Sequence, residues 1–136
     1  MQSEKDLSSV PKHERIKIWL DDENQIVRQV FTGPFIDESD VQFIEDETQR
    51  CVDRMKDPRN VYLLIDGSNL DKGSPGTRKK LMVLSNRENL KKAAVWGNVK
   101  PIVAAIVNFI NIITGKQKTR IFSTEHDALA WLRERP

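Results

Sequence analysis

The stretch "NVYLLID", Asn60 to Asp66, is a near-continuous apolar run of strand length. A run of that kind reads as a strand buried on both faces, because neither of its two sets of alternating side chains is polar. A strand covered on both sides sits inside a sheet with helices packed against it, so the rest of the chain has to supply those helices.

The chain supplies them in order. Upstream, "RIKIWL" (Arg15 to Leu20) alternates, with Ile16, Ile18 and Leu20 on one side, and "IVRQVF" (Ile26 to Phe31) is a second strand. The short link at Asp21 to Asn24 makes the pair an antiparallel hairpin, ended by Thr32, Gly33 and Pro34. A helix follows from about Asp37, with Val41, Ile44, Thr48, Cys51, Val52 and Met55 at helical spacing. Asp37 and Glu38 suit its positive end, and Asp57 and Pro58 stop it. Beyond the central run, Pro75 to Glu88 reads as a helix with Leu81, Val83 and Leu84 as core contacts. "KAAVWG" (Lys92 to Gly97) is the next strand, and "VKPIVAAIVNFINIITG" is a helix ended by Gly115. "TRIF" (Thr119 to Phe122) is the last strand. "STEHDALAWLRER" closes as a helix, with Thr124 and Asp127 at capping-box spacing and Ala128, Leu129, Trp131 and Leu132 facing in.

The order β-β-α-β-α-β-α-β-α predicts an α/β fold: a mostly parallel five-stranded sheet, an N-terminal antiparallel hairpin at its edge, and four helices. A length of 136 residues fits one such domain, expected over residues 13–136 behind a flexible arm at 1–12. A net charge of +2, from 22 basic and 20 acidic residues, makes no general case for nucleic acid or a membrane surface. The polar start "MQSEKDLSSVPKHER" is not a secretory signal, and one cysteine, Cys51, allows no internal disulfide. Both point to a reducing, cytoplasmic setting. Cys51 lies on the apolar stripe of its helix and reads as core packing rather than as a nucleophile.

Strand, glycine loop, helix is the layout of many phosphate sites, which directs attention to "DGSNLDKGSPG" from Asp66 to Gly76. Gly67, Gly73 and Gly76 are present, but none is followed by Lys-Ser or Lys-Thr, so a Walker A loop is excluded; a Rossmann fingerprint also fails on spacing. What remains is a helix start, with Ser74 as N-cap and Pro75 as first helical residue. Its free N–H groups favour an anion. Asp66 suits a loop-orienting acceptor for backbone N–H groups. No nucleophile paired with a base is apparent, so no catalytic residue is expected.

The segment from Pro101 to Thr114 is apolar nearly all round, through Ile102, Ile106, Phe109, Ile110 and Ile113 among others. It is too short for a bilayer, which needs about 20 apolar residues. A surface helix needs one apolar stripe only, so something covers the surplus: neighbouring helices, a second copy of the chain, or the contents of an apolar pocket. Self-association is favoured here over a lipid-like ligand. His13 and His126 have no spacing that makes a metal site, and no metal or cofactor is expected. "TRKK" (Thr77 to Lys80) and "LKK" (Leu90 to Lys92) read as solvated faces; together with Lys116, Lys118 and Arg120 they are candidates for an anion-friendly rim.

Taken with the order of elements, "VYLLIDGSNL", "AAVWGN", "VNFINIITGK" and "RIFSTEHDALAWLRE" resemble the SpoIIAA-like branch of the STAS domain superfamily, from about Arg15 to Arg133. That is the fold of bacterial anti-sigma-factor antagonists and of the cytoplasmic tails of anion transporters. The resemblance implies a non-enzymatic regulatory or protein-interaction module, whose partner is a regulator or kinase. In antagonists of this type the regulatory serine or threonine lies at the start of the helix after the central strand, and its phosphorylation changes binding to the kinase. Ser74 is the matching position, with Ser68 and Thr77 as further candidates. Those proteins carry Asp-Ser-Ser/Thr-Gly there, whereas this chain has Gly73-Ser74-Pro75-Gly76 with Asp71 three residues before Ser74. The same architecture is shared by CRAL-TRIO lipid carriers, which leaves a small-molecule carrier as the alternative.

Overall fold

The computed structural model describes residues 15–32 and 38–134. The arm, His13 and Asp37 lie outside them. Nine elements follow in the expected order: β1 (Ile16–Asp21), β2 (Ile26–Phe31), α1 (Glu38–Asp53), β3 (Val61–Asp66), α2 (Pro75–Ser85), β4 (Leu90–Trp96), α3 (Pro101–Thr114), β5 (Thr119–Phe122) and α4 (Glu125–Arg133). The strands form one sheet in the order β1-β2-β3-β4-β5. The hairpin pairs antiparallel from Ile16 opposite Phe31 to Asp21 opposite Ile26. The remaining strands run parallel, with Val27 beside Leu63, Leu63 beside Ala93, and Val95 beside Ile121.

The turn of the hairpin is built from its own polar side chains. Asp21 accepts from the Asn24 backbone N–H at 3.1 Å and from the Asn24 and Arg28 side chains, each at 2.9 Å. Arg28 reaches on to Glu125 at the start of α4, so the hairpin is tied to the last helix by one guanidinium. Burial pushes the Asp21 carboxyl up, but the Asn24 and Arg28 hydrogen bonds outweigh it and hold the group below the usual carboxylate range.

Alternation along the strands gives the sheet two faces. On one, Ile26, Tyr62, Leu64 and Ala94 pack with Ala128 and Leu132 of α4. The side chain of Thr124 accepts the Asp127 N–H at 3.2 Å and starts that helix, as its spacing requires. On the other face, Val27, Val61 and Leu90 pack with Cys51 and Val52 of α1 and with Met55, while Ile44 joins Ile16 and Phe31. Cys51 is buried, and burial pushes its thiol up despite Arg54 beside it, which fits core packing.

Several expectations need correction. Helix α1 ends at Asp53, before Asp57 and Pro58, yet Met55 is buried beyond it. Helix α2 ends at Ser85, where the Asn86 N–H turns back to the Met82 and Val83 carbonyls, so Arg87 and Glu88 are not helical. Val83 is 62% exposed and is not a core residue; Leu81 and Leu84 are half-buried. Strand β4 begins at Leu90, two residues before Lys92. Most consequentially, β3 is not buried on both faces. Val61, Tyr62 and Leu64 are buried, but Leu63 and Ile65, which point toward α2, are only half-buried. Helix α3, ended by Gly115 with φ 68°, buries Val103 and Asn111 and leaves Ile102, Phe109, Ile112 and Ile113 exposed, so neighbouring helices do not cover its surplus.

Candidate functional site

The loop from Asp66 to Gly76 leaves the carboxyl end of β3 at the middle of the sheet, where open α/β sheets place their ligands. Its first half is pinned to the sheet. Asp66 accepts the Ser68 N–H at 3.0 Å, the Gly67 N–H donates to the Trp96 carbonyl at 2.8 Å, and the Asn69 side chain donates to the Phe31 carbonyl at 2.9 Å. Gly97 lies against this turn with φ +112°; a Cβ there would stand 2.3 Å from the Ser68 hydroxyl, so only glycine fits. Asp71 is turned away to Lys100 at 3.1 Å, and the Lys72 N–H, then Lys100, hold its carboxyl below the usual range.

The second half starts α2. The Ser74 hydroxyl accepts the Thr77 N–H at 3.1 Å and lies 2.9 Å from the Thr77 hydroxyl, while Arg78 donates back to the Gly73 and Lys72 carbonyls. Ser74 is exposed and Thr77 is 1% exposed. The five predicted loop residues therefore fall into two groups, Asp66 with Ser68 and Ser74 with Thr77, with Asp71 apart. The helix start is also less open to an anion than its N–H groups alone suggest. Glu38 of α1 lies directly on it, so close that a Cβ on Gly76 would stand 1.7 Å from the carboxylate.

Beyond that start, helix α2 packs against α1 and α3 rather than on the sheet. Thr77 is its buried residue, and Leu81 and Leu84 stop short of the sheet. Between them and β3 and β4 lies a cavity of about 220 Å³. Its floor is Leu63, Ile65, Ala93 and Val95, and its walls are α1 and α3. Ala93 sits beside Leu63 in the sheet and is too small to fill the space. The exposed lining residues, Gln49 of α1 and Arg87 just past α2, mark a mouth between those two elements, across which Glu45 and Arg87 form an ion pair. Sequence reasoning allowed an apolar pocket walled by α3, and Ile110 lines this cavity, but it did not place the cavity under α2; the half-buried state of Leu63 is not written in a run of apolar letters.

The residues predicted on α3 divide between two surfaces. Ile102, Phe109 and Ile113 are exposed, joined by Ile112, the most exposed of all at 74%. Ile106 and Ile110 are half-buried and line a groove against Pro75, Arg78 and Met82 of α2. The expected basic rim also divides. Lys118 has the positive charges of Lys116 and Lys91 beside it; burial first, then those neighbours, pushes its ammonium below its ordinary range. Arg120 is not with them: it stacks on Phe122 and Trp131, 5.9 and 5.4 Å from their ring centres. His126 is exposed in the first turn of α4. Among the described residues no helix is long and apolar enough to cross a membrane, and no group of three or more His, Cys, Asp or Glu could hold a metal ion.

No family model matches the sequence, and no curated protein matches it. Among solved structures, the chain is similar to a DUF3478-family protein with a SpoIIAA-like fold from Shewanella loihica PV-4, with a TM-score of 0.63 and 20% identity over 86% of this chain and 91% of that one. The expected SpoIIAA-like architecture, a mixed five-stranded sheet with four helices, is the fold of this chain.

Proposed function

We propose, with the SpoIIAA-like fold as premise, that this chain is a non-enzymatic STAS-like regulatory module that works by binding, and that α2 is its switching element. The observation that carries this reading is the attachment of α2: the helix is capped at its start by Ser74 over the buried Thr77 and packs against α1 and α3, but it does not rest on the sheet. Ser74 is exposed, so a kinase can reach it. A phosphate there would add about −1.5 to −2 charge. That charge would fall beside Glu38, and like-charge repulsion would loosen α2 from α1. The second half of the loop, from Lys72 to Gly76, turns with the start of α2, so the partner surface there changes too. The expected partner is a protein regulator or kinase in the cytoplasm.

The neighbouring face of α3 supports self-association. Ile102, Phe109, Ile112 and Ile113 form an apolar surface that a second copy of the chain would cover. Phe109→Asp and Ile112→Asp remove exposed side chains, so each should leave a folded monomer by circular dichroism and sedimentation velocity. A wild-type chain that stays monomeric at high concentration would end the dimer. Nucleotide hydrolysis that vanishes with Asp66→Asn would end the non-enzymatic reading.

The cavity favours a second reading, a small-molecule carrier. Apolar walls, a pre-formed void and a defined mouth are the ordinary features of a ligand pocket.

A further inference from the structure

The void beneath α2 has a polarity along its length. Its interior is made by Leu63, Ile65, Val95, Leu81 and Leu84, with no charged side chain among them. Toward the amino ends of β4 and β5 the lining becomes Asn89, Leu90, Thr119 and Arg87. Four basic residues gather at that end. Arg87 lines the cavity itself. The Lys118 ammonium donates to the Arg87 carbonyl at 2.6 Å, and Lys116 and Lys91 lie close enough to Lys118 to disfavour its charge. Against these stand Glu45, which pairs with Arg87 across the mouth, Glu88, whose charge acts on Lys118, and Asp57, on which Lys91 acts. The local balance is positive, and the parallel sheet is its cause: adjacent parallel strands begin at one edge and bring their flanking lysines together.

We propose that this cavity binds a small amphipathic anion, its apolar chain lying against Leu63, Leu81 and Leu84 and its carboxylate at Arg87. The proposal rests on the carrier reading and names its ligand class. A volume of about 220 Å³ holds roughly seven water-sized groups of ~30 Å³, which suits the chain of a medium-length fatty acid. A neutral chain would gain the apolar contacts alone. A carboxylate would in addition accept from the Arg87 N–H groups that Glu45 does not use, a charge-assisted contact that a neutral chain lacks. Glu45 is then a like charge beside the ligand's carboxylate and weakens its binding.

Octanoate and octanol distinguish the parts of this argument, with leucine methyl NMR of the whole chain as readout. Octanoate is expected to shift the methyl signals of Leu63, Leu81 and Leu84 in the wild type, and to bind about tenfold more tightly than octanol, the worth of one charge-assisted contact. Arg87→Met, at an exposed position, should bring octanoate down to the octanol level and leave octanol unchanged. Glu45→Gln, which leaves Arg87 in place, should tighten octanoate several-fold and octanol not at all. Equal binding of the two ligands, unmoved by either substitution, would overturn the anion and leave the carrier standing. Failure of both ligands to shift these methyls in the wild type would overturn carrier and anion together.

Discussion

Leu63 and Leu64 are neighbours on the central strand and point to opposite faces, so the same truncation at both measures how differently the two faces are filled. Changing leucine to alanine removes about three carbons, worth about 2.4 kcal/mol at ~0.8 kcal/mol per buried carbon. Leu64 is 2% exposed and enclosed by Tyr62, Ala94, Ala128 and Leu132. Its removal also leaves a hole in packed surroundings, so Leu64→Ala is expected to cost about 3–4 kcal/mol, within the range for such core truncations. Leu63 is half-buried and already borders the void under α2. Half the transfer term is lost and little new cavity surface is made, so Leu63→Ala should cost about 1–1.5 kcal/mol. Urea unfolding with equal slopes for all three proteins gives the two differences directly. Equal costs at the two positions would refute the reasoning, because they would mean that α2 rests on the sheet and the cavity does not exist in solution.

Ser74→Ala removes a cap whose hydroxyl accepts one N–H, and should cost about 1 kcal/mol by the same urea assay; no measurable change would mean that α2 is not held at its start. Asp21 gives a prediction in pH. Its carboxyl is depressed in the folded chain, so its contribution is present above the unfolded value of about 3.9 and is lost as pH falls through the folded value. Asp21→Asn should therefore lower stability at neutral pH by about 0.5–1 kcal/mol and flatten the decline of stability in acid; an unchanged acid profile would mean that Arg28 and Asn24 do not hold the charge.

The elements themselves were legible because each carries its own period or cap. Ile26 to Phe31, Thr119 to Phe122 and the Gly115 end of α3 fall where local pattern puts them. Thr124 announces α4 by the oxygen it offers to Asp127. What local pattern does not carry is the height of a helix above a sheet. Leu63 and Leu64 are the same letter, and only the distance of α2 from β3 separates a half-buried residue from a buried one. Val83 was misplaced for a related reason: its apolar side chain suggests a core contact, but α2 turns Leu81 and Leu84 toward the sheet and leaves Val83 outside. The basic rim divides at Lys91 and Lys92, neighbours in β4 that point to opposite faces: Lys92 goes to Trp131 with Arg120, while Lys91 lies with Lys116 and Lys118, just before β5. The candidate loop was legible in its residues but not in its partners, since Glu38 comes from a helix 38 positions before Gly76 in the chain.

Native-state hydrogen exchange tests the central claim, that α2 is attached through its cap and moves as a separate unit. The account predicts that amides from Leu81 to Ser85 exchange through a local opening, at least about tenfold faster than those of Leu64 in β3 and Leu132 in α4, whose packing ties them to global unfolding. Ser74→Asp, with its added charge beside Glu38, should speed exchange in α2 further while β3 and α4 stay as they were. Protection in α2 equal to that in α4, unmoved by Ser74→Asp, would contradict the account.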